Sequence, residues 1–279
     1  MAKQGYARGT MSKVRNILNW AVDLGIEEEI WTSGKNPMRD VKIPASLANS
    51  DDSRPDRGLI PTVEQVKALQ EIAFEINEQW GLMVTIAAYT GIRWGELMAL
   101  TVGKIDLGGK VMRVDLTCVE DIHGHFHFRK QMKGGGRATR VASDRKVAVG
   151  PEVLPALTRY LGTLEEHPNS DLIVSDTPVG RLFAREDGAP HRRGEQSKLL
   201  REMTAKVSAV GGPWPVGATW HYLRHFCATY WLRDQKMDAE TVSTMIGHEN
   251  LSTTMDWYVN TDQETINRAI ETLYRSEEA

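Results

Sequence analysis

The sequence predicts an α+β fold that is mainly α-helical and carries one small three-stranded antiparallel sheet. Apolar residues recur every three or four positions from Val63 to Ile76, as on one face of a helix. Between Lys110 and Val149 this spacing gives way to short β-rich runs separated by turn residues. After Pro151 the helical spacing returns, so helices flank a single small sheet.

Two regions of unequal size are expected. Apolar positions from Val14 to Ile26 predict one amphipathic helix, and the segment after it, rich in Pro, Asn, Asp and Ser, predicts a linker that ends near Arg57. We therefore expect residues 1–56 to form a region of one helix and a linker, and residues 57–279 to form the compact domain. A chain of 279 residues is long enough to bury a substantial core.

The compact domain contains predicted elements in a clear order. A helix from Val63 to Ile76 precedes a buried helix, a turn at Thr90 and Gly91, and a second helix start. The runs KVMRVDLTCVE, HFHFRKQ and TRVASDRKVAV then predict a three-stranded meander. The helices expected after the meander cover residues 152–164, Glu195–Val207, Trp220–Leu232, Ala239–Ile246 and Asp262–Tyr274.

Composition excludes several classes of protein. Apolar residues make up 41% of the chain and charged residues 25%, and no run approaches the length of a membrane span. The N-terminus lacks the apolar segment of a secretory signal. The two cysteines, Cys118 and Cys227, have no metal or disulfide spacing and are expected to be packing residues. We expect a soluble protein of a reducing cytoplasm, without a membrane partner.

The charge distribution points to a polyanionic partner more clearly than the net charge of -3 does. Basic residues dominate from Arg129 to Lys146, and a second basic run covers His191 to Arg201. Such asymmetry is typical of a one-sided polyanion binder, although a solvated surface would look the same. The candidate nucleic-acid contacts are Arg129, Lys130, Arg137, Arg140, Arg192 and Arg193.

Three short motifs carry side chains suited to binding phosphate. TGIRWGEL places Arg93 after a glycine turn, and His221 and Arg224 in TWHYLRH lie one helical turn apart. Lys133 stands beside three consecutive glycines in a predicted hairpin turn. Taken singly, each motif has a structural alternative: a salt bridge from Arg93 to Glu96, a solvated surface pair, and an exposed hairpin tip.

The segment IGHENLSTTMDWYVN adds His248 and Tyr258. A phenol with a pKa of about 10 is a weak nucleophile at neutral pH, so Tyr258 needs neighbouring cations or a base to react. The histidines, arginines and lysine of the other motifs would supply both. Their joint appearance in this order favours a catalytic site over unrelated structural roles.

These motifs resemble the tyrosine recombinases, the phage integrase family, over roughly Gly58 to Asn260. The resemblance implies that a tyrosine attacks a DNA phosphodiester to form a 3′-phosphotyrosine, which is rejoined without ATP, a metal or any other cofactor. Its implied catalytic residues are Arg93, Lys133, His221, Arg224, His248 and Tyr258. Tyr258 would be the nucleophile, the two arginines would stabilise the phosphate, and Lys133 would be the general acid.

The resemblance also implies partners and a location. Double-stranded DNA with attachment or core sites would be the substrate, bound by a homotetramer with DNA-bending and directionality proteins, in the cytoplasm or nucleoid of a bacterial host. Family members usually carry a larger helical clamp domain before the catalytic domain. With about 56 residues there, this sequence is either a piece of a longer protein or a short member of the family.

Three alternatives remain at this stage. His123, His125 and His127 alternate along a predicted strand, and three histidines on one face could bind zinc. A type IB topoisomerase would use similar tyrosine chemistry to relax DNA. A non-catalytic DNA-binding relative would keep the fold without the reaction, although the complete set of six catalytic candidates argues against it.

Overall fold

The structure, a computed structural model, describes residues 8–43, 60–130, 132–133, 141–142, 144–165, 180–210, 212–215 and 219–247. Spatial proximity divides the chain into two units, Met1–Pro55 and Asp56–Ala279. Most of the predicted linker and the predicted helix Asp262–Tyr274 lie outside the described residues. None of the helices in the described ranges is long and apolar enough to cross a membrane.

The first unit is built on helix α1, Arg8–Glu27, which contains the helix predicted from Val14 to Ile26. A single 3₁₀ turn follows at Pro37–Arg39. Asn36 ties this turn to α1, because its side-chain amide donates to the Asn19 carbonyl and to the Asp23 carboxylate, each at 2.8 Å. The Asn36 side-chain oxygen also accepts the Met38 N–H at 2.9 Å, so one residue caps the turn and anchors it.

The second unit contains the other helices of the described ranges. Its core is α3, in which every residue from Trp80 to Thr90 is buried. α2 begins at a capping box in which Thr62 and Gln65 exchange hydrogen bonds, which is why this helix starts where the sequence predicts. The helices are α2 Val63–Ile76, α3 Glu78–Thr90, α4 Trp94–Leu97, α5 Leu154–Glu165, α6 Arg193–Val210, α7 Trp220–Thr229 and α8 Ala239–Ile246.

The described residues between α4 and α5 form three small antiparallel sheets. The strands are β1 Ile105–Asp106, β2 Val111–Val114, β3 Leu116–Glu120, β4 Phe126–Lys130, β5 Met132–Lys133, β6 Val141–Ala142 and β7 Arg145–Ala148. β1, β2 and β7 form a three-stranded sheet, whereas β3 pairs with β4 and β5 with β6. The small three-stranded antiparallel sheet is therefore confirmed.

The two hairpins of the predicted meander are present as β3–β4 and β5–β6, but the prediction of three continuous strands is wrong. The run KVMRVDLTCVE is two strands rather than one, because Asp115 interrupts it and its carboxylate accepts a hydrogen bond from Lys104 at 3.0 Å. β2 consequently pairs with β7, with Val114 opposite Arg145 and Met112 opposite Val147. β3 turns away to form a separate hairpin with β4.

One predicted helix ends differently. The sequence predicts a helix from Trp220 to Leu232, but α7 ends at Thr229 and continues as a π-helical turn, Tyr230–Asp234. The Tyr230 hydroxyl donates to the Glu152 carboxylate at 2.6 Å. This bond to a residue distant in sequence holds the wider turn, and such a contact leaves no local signal.

Gly91 ends α3 in the left-handed conformation, with φ of 63°. A Cβ at this position would lie 3.2 Å from Cγ1 of Ile246 and 3.4 Å from Sγ of Cys227. Both the backbone conformation and the close packing therefore favour glycine.

We expect Gly91→Ala to lower the free energy of unfolding by about 1–2 kcal/mol, because alanine is strained in the left-handed conformation. The matched control is Gly162→Ala in α5, where a Cβ would meet nothing within 4 Å. That change should raise stability by about 0.5–1 kcal/mol, since glycine is a poor helix former. Denaturant unfolding followed by tryptophan fluorescence measures both, and equal effects of the two substitutions would contradict the assignment.

Candidate active site

A cavity of about 1070 Å³ opens between α4, β3, α6 and α7. Arg93, His221 and Arg224, which the sequence predicts to act together, all line this cavity. Two of them come from α7 and one precedes α4, so the fold brings distant motifs to one place. Trp94 and Trp220 also line the cavity, and their rings meet edge to face at 5.0 Å.

Arg93 is held on two sides. Its backbone N–H and its Nη1 each donate to the Glu96 carboxylate at 2.9 Å, and its Nη2 donates to the Gly247 carbonyl at 2.9 Å. The salt bridge to Glu96 that the sequence offered as a structural alternative therefore exists. It does not exclude a binding role, because the Arg93 side chain remains 33% exposed and lines the cavity.

Arg224 is almost completely buried, with 2% of its surface exposed. The interpretation of His221 and Arg224 as a solvated surface pair is therefore wrong for Arg224. Its Nη1 donates to the carbonyls of Gly91 and Ile246, each at 2.7 Å. Its Nε and Nη2 have no hydrogen-bond partner among the described residues.

The charge on Arg224 survives this burial. Burial lowers the pKa of its guanidinium and the positive charge of Arg93 lowers it further, while the Glu96 carboxylate opposes both effects. Arginine starts from so high a pKa that the group stays a cation. An anion that accepted hydrogen bonds from Nε and Nη2 would therefore offset the free-energy cost of burying these unpaired donors.

His221 lies at the rim of the cavity, one turn before Arg224 on α7. The residue as a whole is exposed, and its ring lies edge to face against the His225 ring, with the ring centres 4.7 Å apart. Desolvation first, and then the charges of Arg224 and Arg93, lower the pKa of His221 to about 4. At neutral pH the imidazole is consequently uncharged and can accept a proton or a hydrogen bond.

Arg145 and Glu96 belong to the same arrangement, although the sequence analysis counted Arg145 only as part of a basic run. Arg145 donates to both carboxylate oxygens of Glu96, from Nη1 at 3.0 Å and from Nη2 at 2.7 Å. A signal existed in the sequence: in the run RKVA, Arg145 alternates with Val147 and therefore faces the protein interior. An arginine on the buried face of a strand implies a buried acidic partner.

The C-terminal end of α8 is the second element of the site. The carbonyls of Met245, Ile246 and Gly247 accept hydrogen bonds from Arg145, Arg224 and Arg93, respectively, at 3.0, 2.7 and 2.9 Å. Three guanidinium groups thus donate hydrogen bonds to the carbonyls of three consecutive residues. These bonds satisfy carbonyl groups that a helix end leaves without intrahelical partners.

The remaining predicted catalytic residues are only partly described. Lys133 lies at the end of β5 and pairs with Val141 on β6, which agrees with a hairpin, but its side chain lies outside the described residues. His248 and Tyr258 also lie outside them. In the sequence His248 directly follows Gly247, whose carbonyl holds Arg93.

The predicted nucleic-acid contacts occupy different surroundings. Arg129 and Lys130 are exposed at the end of β4, and Arg193 is exposed at the start of α6, where it lines the cavity. Arg192 instead pairs with the Glu120 carboxylate, and its guanidinium lies 5.4 Å from the centre of the Phe126 ring. The remaining two, Arg137 and Arg140, lie outside the described residues.

The three histidines of the β3–β4 hairpin are not arranged as a metal site. His127 contacts the Asp121 carboxylate through Nε2 at 2.9 Å, and the same carboxylate accepts the backbone N–H groups of His123 and His125. Asp121 therefore organises the hairpin turn. Within the described ranges, no group of three or more His, Cys, Asp or Glu residues is placed to hold a metal ion.

Comparison with known proteins gives relatives of one kind. The chain is 24% identical to a XerC-like tyrosine recombinase of Caldanaerobacter subterraneus subsp. tengcongensis, an alignment that covers 97% of this chain and 67% of the relative. It is 26% identical to the integrase of Staphylococcus phage L54a over 63% of this chain. The chain spans 46% of the length of that phage integrase.

The fold is shared with solved structures of recombinases. A fragment of the Tn1549 transposon integrase, in complex with a circular intermediate DNA, superposes with a TM-score of 0.70 at 18% identity, covering 98% of this chain and 82% of that one. The XerA recombinase gives a TM-score of 0.54 at 23% identity over 85% of this chain and 71% of that one. The sequence model of the phage integrase family matches residues 62–265, and the chain therefore belongs to this family.

Proposed function

We propose that the chain is a site-specific DNA recombinase, an integrase that cleaves and rejoins DNA strands through a 3′-phosphotyrosine for the integration or excision of phage or mobile-element DNA. One observation carries the proposal. Arg93, His221 and Arg224 converge on one cavity. Carbonyls at the end of α8 hold Arg93 and Arg224, and the sequence continues from there to His248 and Tyr258. Membership of the phage integrase family supports the same chemistry.

In the proposed cleavage step, the Tyr258 oxygen attacks the scissile phosphorus. The new bond joins this oxygen to phosphorus, and the bond from phosphorus to the 5′ oxygen breaks. His221, uncharged at neutral pH because its pKa is about 4, accepts the phenol proton. Lys133 gives a proton to the leaving 5′ oxygen, and His248 donates a hydrogen bond to the phosphate.

The two arginines stabilise the charge that builds up on the non-bridging oxygens. Arg224 offers Nε and Nη2, which have no partner among the described residues, and Arg93 offers a side chain that is 33% exposed. Guanidinium groups match phosphate oxygens in geometry, and their fixed position removes a reorganisation cost during the reaction. The phosphotyrosine conserves the bond energy, so religation by another 5′ hydroxyl needs no cofactor.

Recombination is favoured over DNA relaxation, because the relatives and solved structures reported above are recombinases and integrases. Double-stranded DNA with attachment or core sites is the proposed substrate. The proposal includes a homotetramer on DNA, DNA-bending and directionality proteins as further partners, and action in the cytoplasm or nucleoid of a bacterial host. The proposed DNA contacts are Arg129, Lys130, Arg137, Arg140, Arg192 and Arg193.

Tyr258→Phe is expected to abolish covalent attachment of DNA while leaving DNA affinity nearly unchanged, because only the nucleophilic oxygen is lost. The measurement is covalent capture on nicked duplex DNA, which traps the intermediate when the fragment beyond the nick diffuses away. Denaturing gels then count the attached DNA.

Tyr222→Phe is the matched control for this experiment. Tyr222 follows His221 on α7 and is the tyrosine that neighbours the described part of the site in sequence. Its substitution should leave the covalent complex in place. If covalent attachment survives Tyr258→Phe and disappears with Tyr222→Phe, Tyr258 is not the nucleophile.

Arg93→Gln is expected to raise the pKa of His221 from about 4 toward its ordinary value, because the charge of Arg93 is one of the causes that lower it. Burial and Arg224 remain, so the rise should be partial. NMR titration of the His221 ring measures it. Arg113→Gln, which removes an exposed arginine paired with Asp144, should leave the His221 pKa unchanged. An unchanged His221 pKa in Arg93→Gln, or an equal rise in Arg113→Gln, would contradict the influence of Arg93 on this ring.

Arg193→Ala is expected to weaken DNA binding and to reduce the slope of log affinity against log salt by about 1, as for the loss of one phosphate contact. Arg193 is chosen because it is exposed at the cavity. Arg159→Ala is the control, since Arg159 pairs with Glu78 and lies over the Phe74 ring, away from the cavity lining. A salt slope that falls equally in both variants would argue against a specific contact.

A further inference from the structure

Arg145 holds the site without lining the cavity. It is 8% exposed, and Nη1, Nη2 and Nε each donate a hydrogen bond, two to Glu96 and one to the Met245 carbonyl. It is absent from the residues that form the cavity wall, whereas Arg93 and Arg224 are present. Any contribution of Arg145 to the reaction must therefore pass through the groups it holds.

Glu96 connects Arg145 to Arg93. The Glu96 carboxylate is completely buried and also accepts the Arg93 backbone N–H and Arg93 Nη1. With both arginines present, one negative charge is shared between two cations, so Arg93 keeps part of its positive charge for an anion. Without Arg145, Arg93 would be the remaining hydrogen-bonded cation for a buried carboxylate among the described residues, and the pair would neutralise itself.

Arg145 also fixes the end of α8. Its bond to the Met245 carbonyl lies one residue before the carbonyl that holds Arg224 and two before the carbonyl that holds Arg93. The same residue thus restrains both the anchor of Arg93 and the segment that leads to His248. A shift of either would misplace groups whose catalytic effect depends on position.

We propose that Arg145 is a positioning residue of this site, which keeps Glu96 from neutralising Arg93 and thereby preserves the affinity of the cavity for a phosphate group. The role in strand cleavage rests on the proposed function, whereas the role in anion binding does not. The proposal predicts that the effect of losing Arg145 depends on Glu96. Removal of the Glu96 carboxylate should restore part of the phosphate affinity and cleavage rate that are lost with Arg145.

The test compares Arg145→Met, Glu96→Gln, the double variant and Arg145→Lys, with Arg113→Met as a control from the neighbouring strand. Arg113 donates from Nε to Oδ1 and from Nη2 to Oδ2 of Asp144 in an exposed bidentate contact, and it is not among the hydrogen-bond partners of Glu96. We expect Arg145→Met to slow covalent capture of nicked DNA by about 100-fold, the effect of losing one transition-state donor, with little change in DNA affinity. The double variant should recover about 10-fold or more of this loss.

A purely structural role gives a different pattern. The double variant lacks every bond of Arg145, so it would then be as slow as Arg145→Met, and activity would follow the melting temperature across the series. That result would overturn the proposal, as would full activity of Arg145→Met. If Arg145→Met does not fold, the comparison of the double variant with Arg145→Lys decides, because only the former removes the buried carboxylate.

Binding of inorganic phosphate separates this proposal from the proposed function. Tryptophan emission reports it, since Trp94 and Trp220 line the cavity. We expect phosphate affinity to fall at least 10-fold in Arg145→Met and to recover in the double variant. If unmodified protein captures no DNA, the proposed function fails while this pattern still supports Arg145. Unchanged phosphate affinity in Arg145→Met, or no phosphate binding by the unmodified protein, would refute the role of Arg145.

Discussion

The buried carboxylate of Glu96 is the interaction on which the site depends. Burial alone raises the pKa of this carboxyl, but the hydrogen bonds and charge of Arg145, and then those of Arg93, outweigh burial and hold the pKa at about 2. Because the folded-state value lies below the ordinary 4.5, the stability from this group is complete above pH 4.5 and is lost as the pH falls toward 2. At neutral pH the carboxylate is therefore a fixed anchor for both arginines.

Backbone carbonyls provide the second set of anchors, and they link the site to the core. α3, buried on every side, ends at Gly91, whose left-handed turn presents a carbonyl to Arg224. The same guanidinium nitrogen reaches the Ile246 carbonyl at the end of α8, where the helix dipole adds partial negative charge. The buried helix α3 and the segment before His248 are thus joined through one side chain.

The sequence predicted those features of the fold that interactions between residues close in sequence determine, such as where a helix begins and ends. The bounds of α2 and α8 match the prediction because a capping box or an Asp cap starts each helix and apolar spacing continues it. The pairing of Arg145 with Glu96 spans 49 residues, and no spacing rule connects the two positions. The six catalytic candidates were proposed from motif order instead, which gives candidate substrate contacts but passes over residues that only support them.

Charge balance explains how a protein of net charge -3 can present an anion site. The three arginines bound to carbonyls at the end of α8 carry three positive charges, and the Glu96 carboxylate, which two of them hold, carries one negative charge. The cluster beside the cavity therefore has a surplus of two positive charges. A phosphodiester carries one negative charge, and more accumulates on its oxygens as the nucleophile adds. In the proposed reaction, carbonyls and a carboxylate already hold the guanidinium groups in place, so little reorganisation accompanies that change, and the surplus favours the transition state over the bound substrate.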